Sequence, residues 1–593
     1  MQTGHMIPEI EAIESERVDD IPLLLAVLKQ MGIIEIFNEQ LKQHGNWEGL
    51  AGGYIIAVWL AYILSQGDHR KSYLQEWVAE REHTLLHSLD IDEINELDFT
   101  DDRLAIILDK LNDDETWQRS EREVNQRIMR VYEIEADIAR VDTTTASSYG
   151  RVTEEGLLQF GHSKDHRPDL GQVKIASVTL DPLGLPLVTV PVSGEQADDR
   201  LYIPVIEQAR QSMNGKKGLL YVGDCKMGSL ATRCDLAYGQ DYYLMPLSGV
   251  QVNKEQLSGY LEQWEATDGT EPKRESVIIV DSTGQKNLIG KGFTVIVALE
   301  DIRQVAGQAI SHSWQERRFV VLSPDYAQKQ RLALEKRLDE AEAAIEKLVE
   351  RRRGYSYPAT KKELEERVSQ VLVAQQCAEF LAVTVNEETV CKQIRAYKGN
   401  PAREETSTIF HLQVARQEKS LAQAYRLMGW RVYATNAPEQ RLSLTQAVDV
   451  YRDAYLHEHG YSRLKGTPLS LTPMYLQKDE QITGLIRLLS LALRLLTLLE
   501  FMVRKQLAQE KSELAGIYAG NRTRKTKTPR TETLLKVFEG ITLTIIQAGV
   551  NEWVHLKPLS VTQKRILQLL GMTEEVYTCL VPEFAKVVLK SAN

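Results

Sequence analysis

Apolar residues recur every three or four positions through the first 135 residues, as in IPLLLAVLKQMGIIEIF and DRLAIILDKL. No alternating stretch intervenes, so the spacing predicts a wholly helical module. From residue 137 the texture changes. DIARVDTTTASSYG, QVKIASVTLD and LPLVTVPV are β-rich runs parted by short Gly, Asp and Pro turns. A helical DRLYIPVIEQARQSM follows, then a buried strand GLLYVG, a helix SLATRCDLAYG and a further strand DYYLMPL. Strands followed by strand–helix alternation predict an α/β domain with a mixed sheet. Beyond about residue 250, SVIIVD, FTVIVAL and RFVVL read as strands. They lead into a charged helix in which Leu334, Leu338, Ala341, Ile345 and Leu348 form a heptad seam. Gly354 and Pro358 would turn it back into ELEERVSQVLV, which predicts an antiparallel helical hairpin. FLAVTV, TIFHLQV and GWRVYATN restore strand character, and the final stretch reads as mostly helical.

These changes of texture divide the chain into a helical part over 1–135, an α/β part over 136–250, an insertion of strands and a helical hairpin over 251–424, a return to the α/β domain over 425–510, and a helical region over 511–593. Two segments are apolar enough to question. YIIAVWLAYIL is too short to span a bilayer, and residues 482–503 carry Arg487, Arg494 and Glu500. Both are expected to be buried helices, with no membrane partner. Composition adds little: 43% hydrophobic and 26% charged residues describe an ordinary soluble chain, and five cysteines without a CxxC pair support neither a zinc site nor a disulfide framework. With an acidic, mixed N-terminus, a cytoplasmic setting is expected. The net charge of −12 argues against a surface coated for indiscriminate DNA binding, which makes local basic clusters informative. The clearest is NRTRKTKTPR, where Arg522, Arg524, Lys525, Lys527 and Arg530 stand with no acid between them: a phosphate-binding run or a solvated tether.

Three acids draw attention. Asp224 ends the strand GLLYVG, where a side chain either enters a crevice at the carboxyl edge of a sheet or opens a turn. Asp142 is the fifth residue of the first strand, IARVD, and either joins such a crevice or bonds the neighbouring threonine hydroxyls. Glu458 follows a helix that a Ser443–Gln446 capping box should start. Leu444, Val448, Tyr451 and Tyr455 step along one face of it, and the next step lands on Glu458. That places the acid on the buried stripe, either paired with Lys465 or free for chemistry. Together, a first-strand Asp, a fourth-strand Asp and a helix Glu occupy the three places at which a ribonuclease-H-like sheet gathers carboxylates. Such hard oxygen donors suit a pair of Mg²⁺ or Mn²⁺ ions acting on a phosphodiester.

The sequence resembles the DDE transposases of bacterial insertion sequences, in the subgroup with a long insertion between the second Asp and the Glu. The resemblance rests on VDTTTASSYG, the following GHSKDHRPDLGQVK, then YVGDCKMGS, and finally YRDAYLHEHGYSRLKGTPLSLTP. The gaps between the three acids, 82 and 234 positions, share the subgroup's asymmetry. Its signature runs Tyr, two residues, Arg, three residues, Glu, six residues, Lys. Tyr451, Glu458 and Lys465 fit, while the Arg position holds Ala454. The resemblance implies a multidomain α/β protein in which a ribonuclease-H-like mixed sheet is interrupted by the insertion and flanked by helical regions. It implies catalytic and metal-binding roles for Asp142, Asp224 and Glu458 with two divalent ions, and DNA contacts from Tyr451, Lys465 and Arg463. Lys164 and Arg167, in the loop beside the crevice, and the run from Arg522 to Arg530 would contact DNA too. The activity implied is cleavage at the element's terminal inverted repeats and strand transfer into target DNA, by a homodimer in a synaptic complex on the bacterial nucleoid. The first helical module would read the ends. Two alternatives stand beside it: a metal-dependent nuclease of the same fold that joins nothing, and a non-catalytic DNA-binding descendant.

Overall fold

The computed structural model describes residues 11–42, 45, 47–266, 275–280, 285–305, 308–351, 356–395, 403–453, 455–548 and 551–581. The chain is a multidomain α/β protein that divides into two compact units, one of residues 1–245, 300–314 and 450–593 and one of 246–299 and 315–449.

In the first unit, strands β1 (Ile138–Ser148), β2 (Gly171–Leu180), β3 (Leu185–Ser193), β4 (Leu220–Gly223) and β5 (Tyr242–Pro246) lie in the order β3-β2-β1-β4-β5. β1, β2 and β3 run antiparallel, while β4 is parallel to β1 and β5 to β4. Helix α1 (Tyr202–Ser212) links β3 to β4, and α2 (Leu230–Tyr238) links β4 to β5. Crossover helices are what parallel neighbours demand, because a tight turn can join only antiparallel strands. β4 is buried at every position, as its unbroken apolar run foretold.

Helix α3 (Tyr455–Lys465) and the long helix α4 (Asp479–Gln509) complete this part. α4 is long and apolar enough to cross a membrane, but its most apolar window is entirely buried inside the protein. It packs on β3 and on helix Asp101–Asn112, one of seven α-helices among the described residues between 21 and 131. Gly484 makes that approach feasible: a Cβ there would sit 2.2 Å from the Leu108 carbonyl oxygen. The segment at 54–64 is likewise a buried helix, within Gly52–Gln66.

Two flanking regions differ from expectation. Residues Ala12–Arg17 form a strand, paired antiparallel with Thr542–Ala548, which pairs in turn with Asn551–Leu556. AIESER has no β signal of its own; its conformation follows from the edge that the C-terminal hairpin presents. That hairpin lies in the stretch expected to be mostly helical, and its strand Thr542–Ala548 largely alternates buried and less buried residues.

In the second unit, the seam residues Leu334, Leu338, Ala341 and Ile345 are buried in helix Pro324–Glu346, and Leu364 and Val368 in helix Lys361–Ala374. The two helices share a core with the two-stranded hairpin Leu381–Ile394 and Arg403–Arg416, through Val385 and Phe410. The turn expected at Gly354 lies outside the described residues. Strand Trp430–Thr435, from GWRVYATN, pairs antiparallel with residues 317–322.

Candidate active site

Val141 on β1 is in register with Gly223 on β4, so Asp142 and Asp224 are the next residues on neighbouring parallel strands. Strands pair about 4.8 Å apart, which sets the two carboxylates side by side where β4 leaves the sheet. Burial pushes the Asp142 carboxyl above the ordinary carboxylate range; Asp224 adds to the rise, and Lys164 opposes it. The Lys164 ammonium lies 3.6 Å from Asp142 Oδ1. The Thr143 N–H donates to the same oxygen at 2.7 Å.

Asp224 is held differently. Its Oδ1 accepts from the Tyr202 hydroxyl at 3.0 Å and from the backbone N–H groups of Lys226 and Met227 at 2.9 and 3.3 Å. The acid thus orders the turn after β4 and is oriented by α1 at the same time. Beside it, Asp198 is buried between Lys174 and Lys226. Burial works against its charge, yet the two ammonium groups hold its carboxyl well below the usual range.

Helix α3 packs on this pair through Tyr461, not through Glu458. The Tyr461 hydroxyl donates to the Asp142 carbonyl at 3.0 Å and lies 2.8 Å from the Ser177 hydroxyl. Glu458, three residues earlier, is exposed and lines a cavity of about 640 Å³ with Pro182, Leu183, Tyr455, Phe501 and Arg504. Neither Asp142 nor Asp224 lines that cavity among the described residues. The expected buried stripe fails for a local reason. The Ser443–Gln446 capping box forms and Leu444 and Val448 are buried, but the helix ends at Arg452 and α3 starts afresh at Tyr455, which is 61% exposed. The periodicity counted from Leu444 therefore does not carry through. Ala454, at the signature's Arg position, lies outside the described residues. Among the described residues, no group of three or more His, Cys, Asp or Glu side chains converges closely enough to hold a metal ion.

The remaining expected residues separate into two groups. Lys465 forms an ion pair with Asp165 at 2.7 Å, and Asp165 also accepts from the Ser147 N–H at 3.0 Å, so the GHSKDHRPDL loop is pinned to the end of β1. Arg167, in that loop, is half-buried and paired with Asp169. Tyr451 is half-buried at the end of helix Leu444–Arg452. Arg463 is a correction: it is 3% exposed and clasped between Glu500 and Glu532, a structural tie between α3, α4 and the segment after the basic run. Its place on the inner side of α3, facing α4, explains why. Arg522, Arg524, Lys525, Lys527 and Arg530 are all exposed, with Arg524 stacked over Tyr518. Tyr202 and Tyr461, which orient the two acids, escaped the sequence reading; the signal for Tyr461 was its spacing of one helical turn from Glu458.

No known protein family and no curated protein matches the chain by sequence. Among solved structures, it shows a distant likeness to the piggyBac transposase synaptic complex with hairpin DNA, determined by cryo-EM. Sequence identity is 10% and the TM-score 0.23, over 46% of this chain and 57% of that one. The chain thus spans little more than half the length of that transposase, and a TM-score this low establishes no common fold.

Proposed function

We propose that the chain is a DDE transposase that cleaves DNA at the ends of an insertion sequence and joins the freed ends to target DNA, with Mg²⁺ or Mn²⁺ at a ribonuclease-H-like site. The observation that carries the reading is the juxtaposition of Asp142 and Asp224 on the parallel pair β1 and β4. The strand order, with three antiparallel strands leading and two parallel strands following, supports it. The donor set suits the ion: Mg²⁺ is commonly bound through one or two carboxylates, its remaining positions going to water and substrate phosphate. Asp142 and Asp224 would hold it, with Glu458 of α3 as the third carboxylate offered by the sequence. Bound there, a divalent ion supplies Lewis acidity at a scissile phosphodiester.

The chain's own groups prepare that site. Tyr202 fixes the rotamer of Asp224, and Tyr461 fixes the backbone at Asp142. Lys164 balances the charge of Asp142. Partners under this reading are the terminal repeats and target DNA, brought together by a homodimer in a bacterial cytoplasm. The test is cleavage and strand transfer with DNA carrying the element's own ends. Asp142→Asn, Asp224→Asn and Glu458→Gln should each abolish cleavage in Mg²⁺ while leaving end binding intact. Wild-type cleavage by the Asp142→Asn and Asp224→Asn variants would overturn the assignment, and cleavage without joining would make the protein a nuclease.

A further inference from the structure

Seven residues on from Asp142, just past the end of β1, the chain presents an exposed aromatic pair. Tyr149 and Tyr475 are 50% and 72% exposed, and their rings stack with centroids 5.3 Å apart and planes 24° from parallel. Large rings ordinarily hide their faces, so a pair left open to water calls for an account. Mutual attraction alone does not hold it. Ser148 and Met474 form a parallel β-bridge, the Tyr149 N–H donates to the Met474 carbonyl at 2.9 Å, and the Met474 N–H donates to the Ser147 carbonyl at 3.0 Å. The Ser148 hydroxyl donates to that same Met474 carbonyl at 3.2 Å. The main chain therefore sets both rings in place before any ligand arrives.

Cations stand close by. Arg167, ion-paired with Asp169, lies beside the Tyr149 side chain, and Arg151 and Lys478, two and three residues beyond the tyrosines, are exposed. At about 3.3 Å per residue, the platform stands roughly 23 Å along the strand from Asp142.

We infer that Tyr149 and Tyr475 form a stacking platform for an unpaired nucleobase, with Arg151 and Arg167 placed for the adjoining phosphates. In a duplex the faces of the bases are covered by their neighbours and only edges are offered in the grooves. A single strand offers its faces, and one base stacked on an aromatic side chain contributes enough to be measured. The inference rests on the proposed transposase reading for its choice of DNA as ligand: cutting both strands leaves termini whose last bases are the least well stacked.

The experiment is fluorescence anisotropy with a short labelled single-stranded oligothymidine and, separately, a blunt duplex. Tyr149→Ala with Tyr475→Ala should lose about tenfold in affinity for the single strand and nothing for the duplex. Tyr149→Phe with Tyr475→Phe, which keeps the ring faces, should bind both as the wild type does. Because the side chains are exposed, melting temperatures should stay together. Unchanged single-strand binding by the alanine variant, an equal loss on duplex, or no single-strand binding by the wild type would each overturn the platform. The outcome is independent of catalysis: failure of the Asp142 and Asp224 variants to affect cleavage would remove the transposase reading and leave this measurement standing.

Discussion

Buried acids cost stability only when charged, and Asp20 shows how a single residue can carry a pH dependence. It precedes helix Ile21–Gln30, is 6% exposed, and its Oδ1 has no hydrogen-bond partner among the described residues. Burial raises its carboxyl to about 6; Ser65 opposes the rise, while Asp19 and Glu539 add to it. Between about 4 and 6 the unfolded chain has already lost this proton while the folded one keeps it, so stability falls as pH rises through that window and stays low above it. Asp20→Asn should therefore add on the order of 3 kcal/mol at pH 7 and nothing at pH 3, measured by urea unfolding at both. An equal gain at the two values would show that the carboxylate's charge is irrelevant. At this scale the sequence located Asp142 and Asp224 on neighbouring strands, because an acid within or just after an apolar β run stands out. It misplaced Glu458 and Arg463, whose surroundings depend on a helix break and on carboxylates of other segments, Glu500 and Glu532.

Helix α4 makes the corresponding point for an element. Apolar on nearly every side, it was legible as buried, which is the ordinary meaning of a helix without a polar face. Its two buried arginines could not be placed in advance, because their acidic partners lie more than 300 residues away. Arg494 is fully buried against Glu121, with Asn125 and Ser490 completing its hydrogen bonds. Arg487 reaches Asp114 and two carbonyls at the end of helix Asp101–Asn112. Removing one member of such a pair strands the other charge in the interior. Glu121→Gln should cost about 3–5 kcal/mol, whereas Glu121→Leu combined with Arg494→Met should cost distinctly less than the sum of the single changes. A double-mutant cycle by thermal unfolding decides it, and additive losses would mean that the two side chains act separately. The strand Ala12–Arg17 is the opposite case, an element whose existence is set by its partner and not by its own residues.

For the molecule as a whole, the distribution of charge matters more than the sum. Against a net charge of −12, the five cations from Arg522 to Arg530 stand exposed and unaccompanied by acids within the run. Under the proposed transposase reading, each that meets a phosphate releases about one condensed counterion, so replacing all five by Gln should weaken binding to end DNA and reduce the slope of log affinity against log salt by up to about 4.5. Anisotropy titrations across salt concentrations measure both, and an unchanged slope would leave the run as a tether. Strands and a helical hairpin were expected in the interruption, but texture alone could not show that residues 300–314 group with the first unit, nor that 425–449, expected to return to the α/β domain, group with the second. The pairing of Ala12–Arg17 with Thr542–Ala548 has a further consequence, for synthesis. A ribosome releases the opening strand more than 500 residues before its neighbour exists, and Tyr461 and Met474 emerge long after the acids and the tyrosine they position. Contacts of such long range close late and slowly. The nascent protein therefore cannot complete the surroundings of the two aspartates until Tyr461 and Met474 have emerged, and a product that stops short of them carries both acids without the helix that orients Asp142.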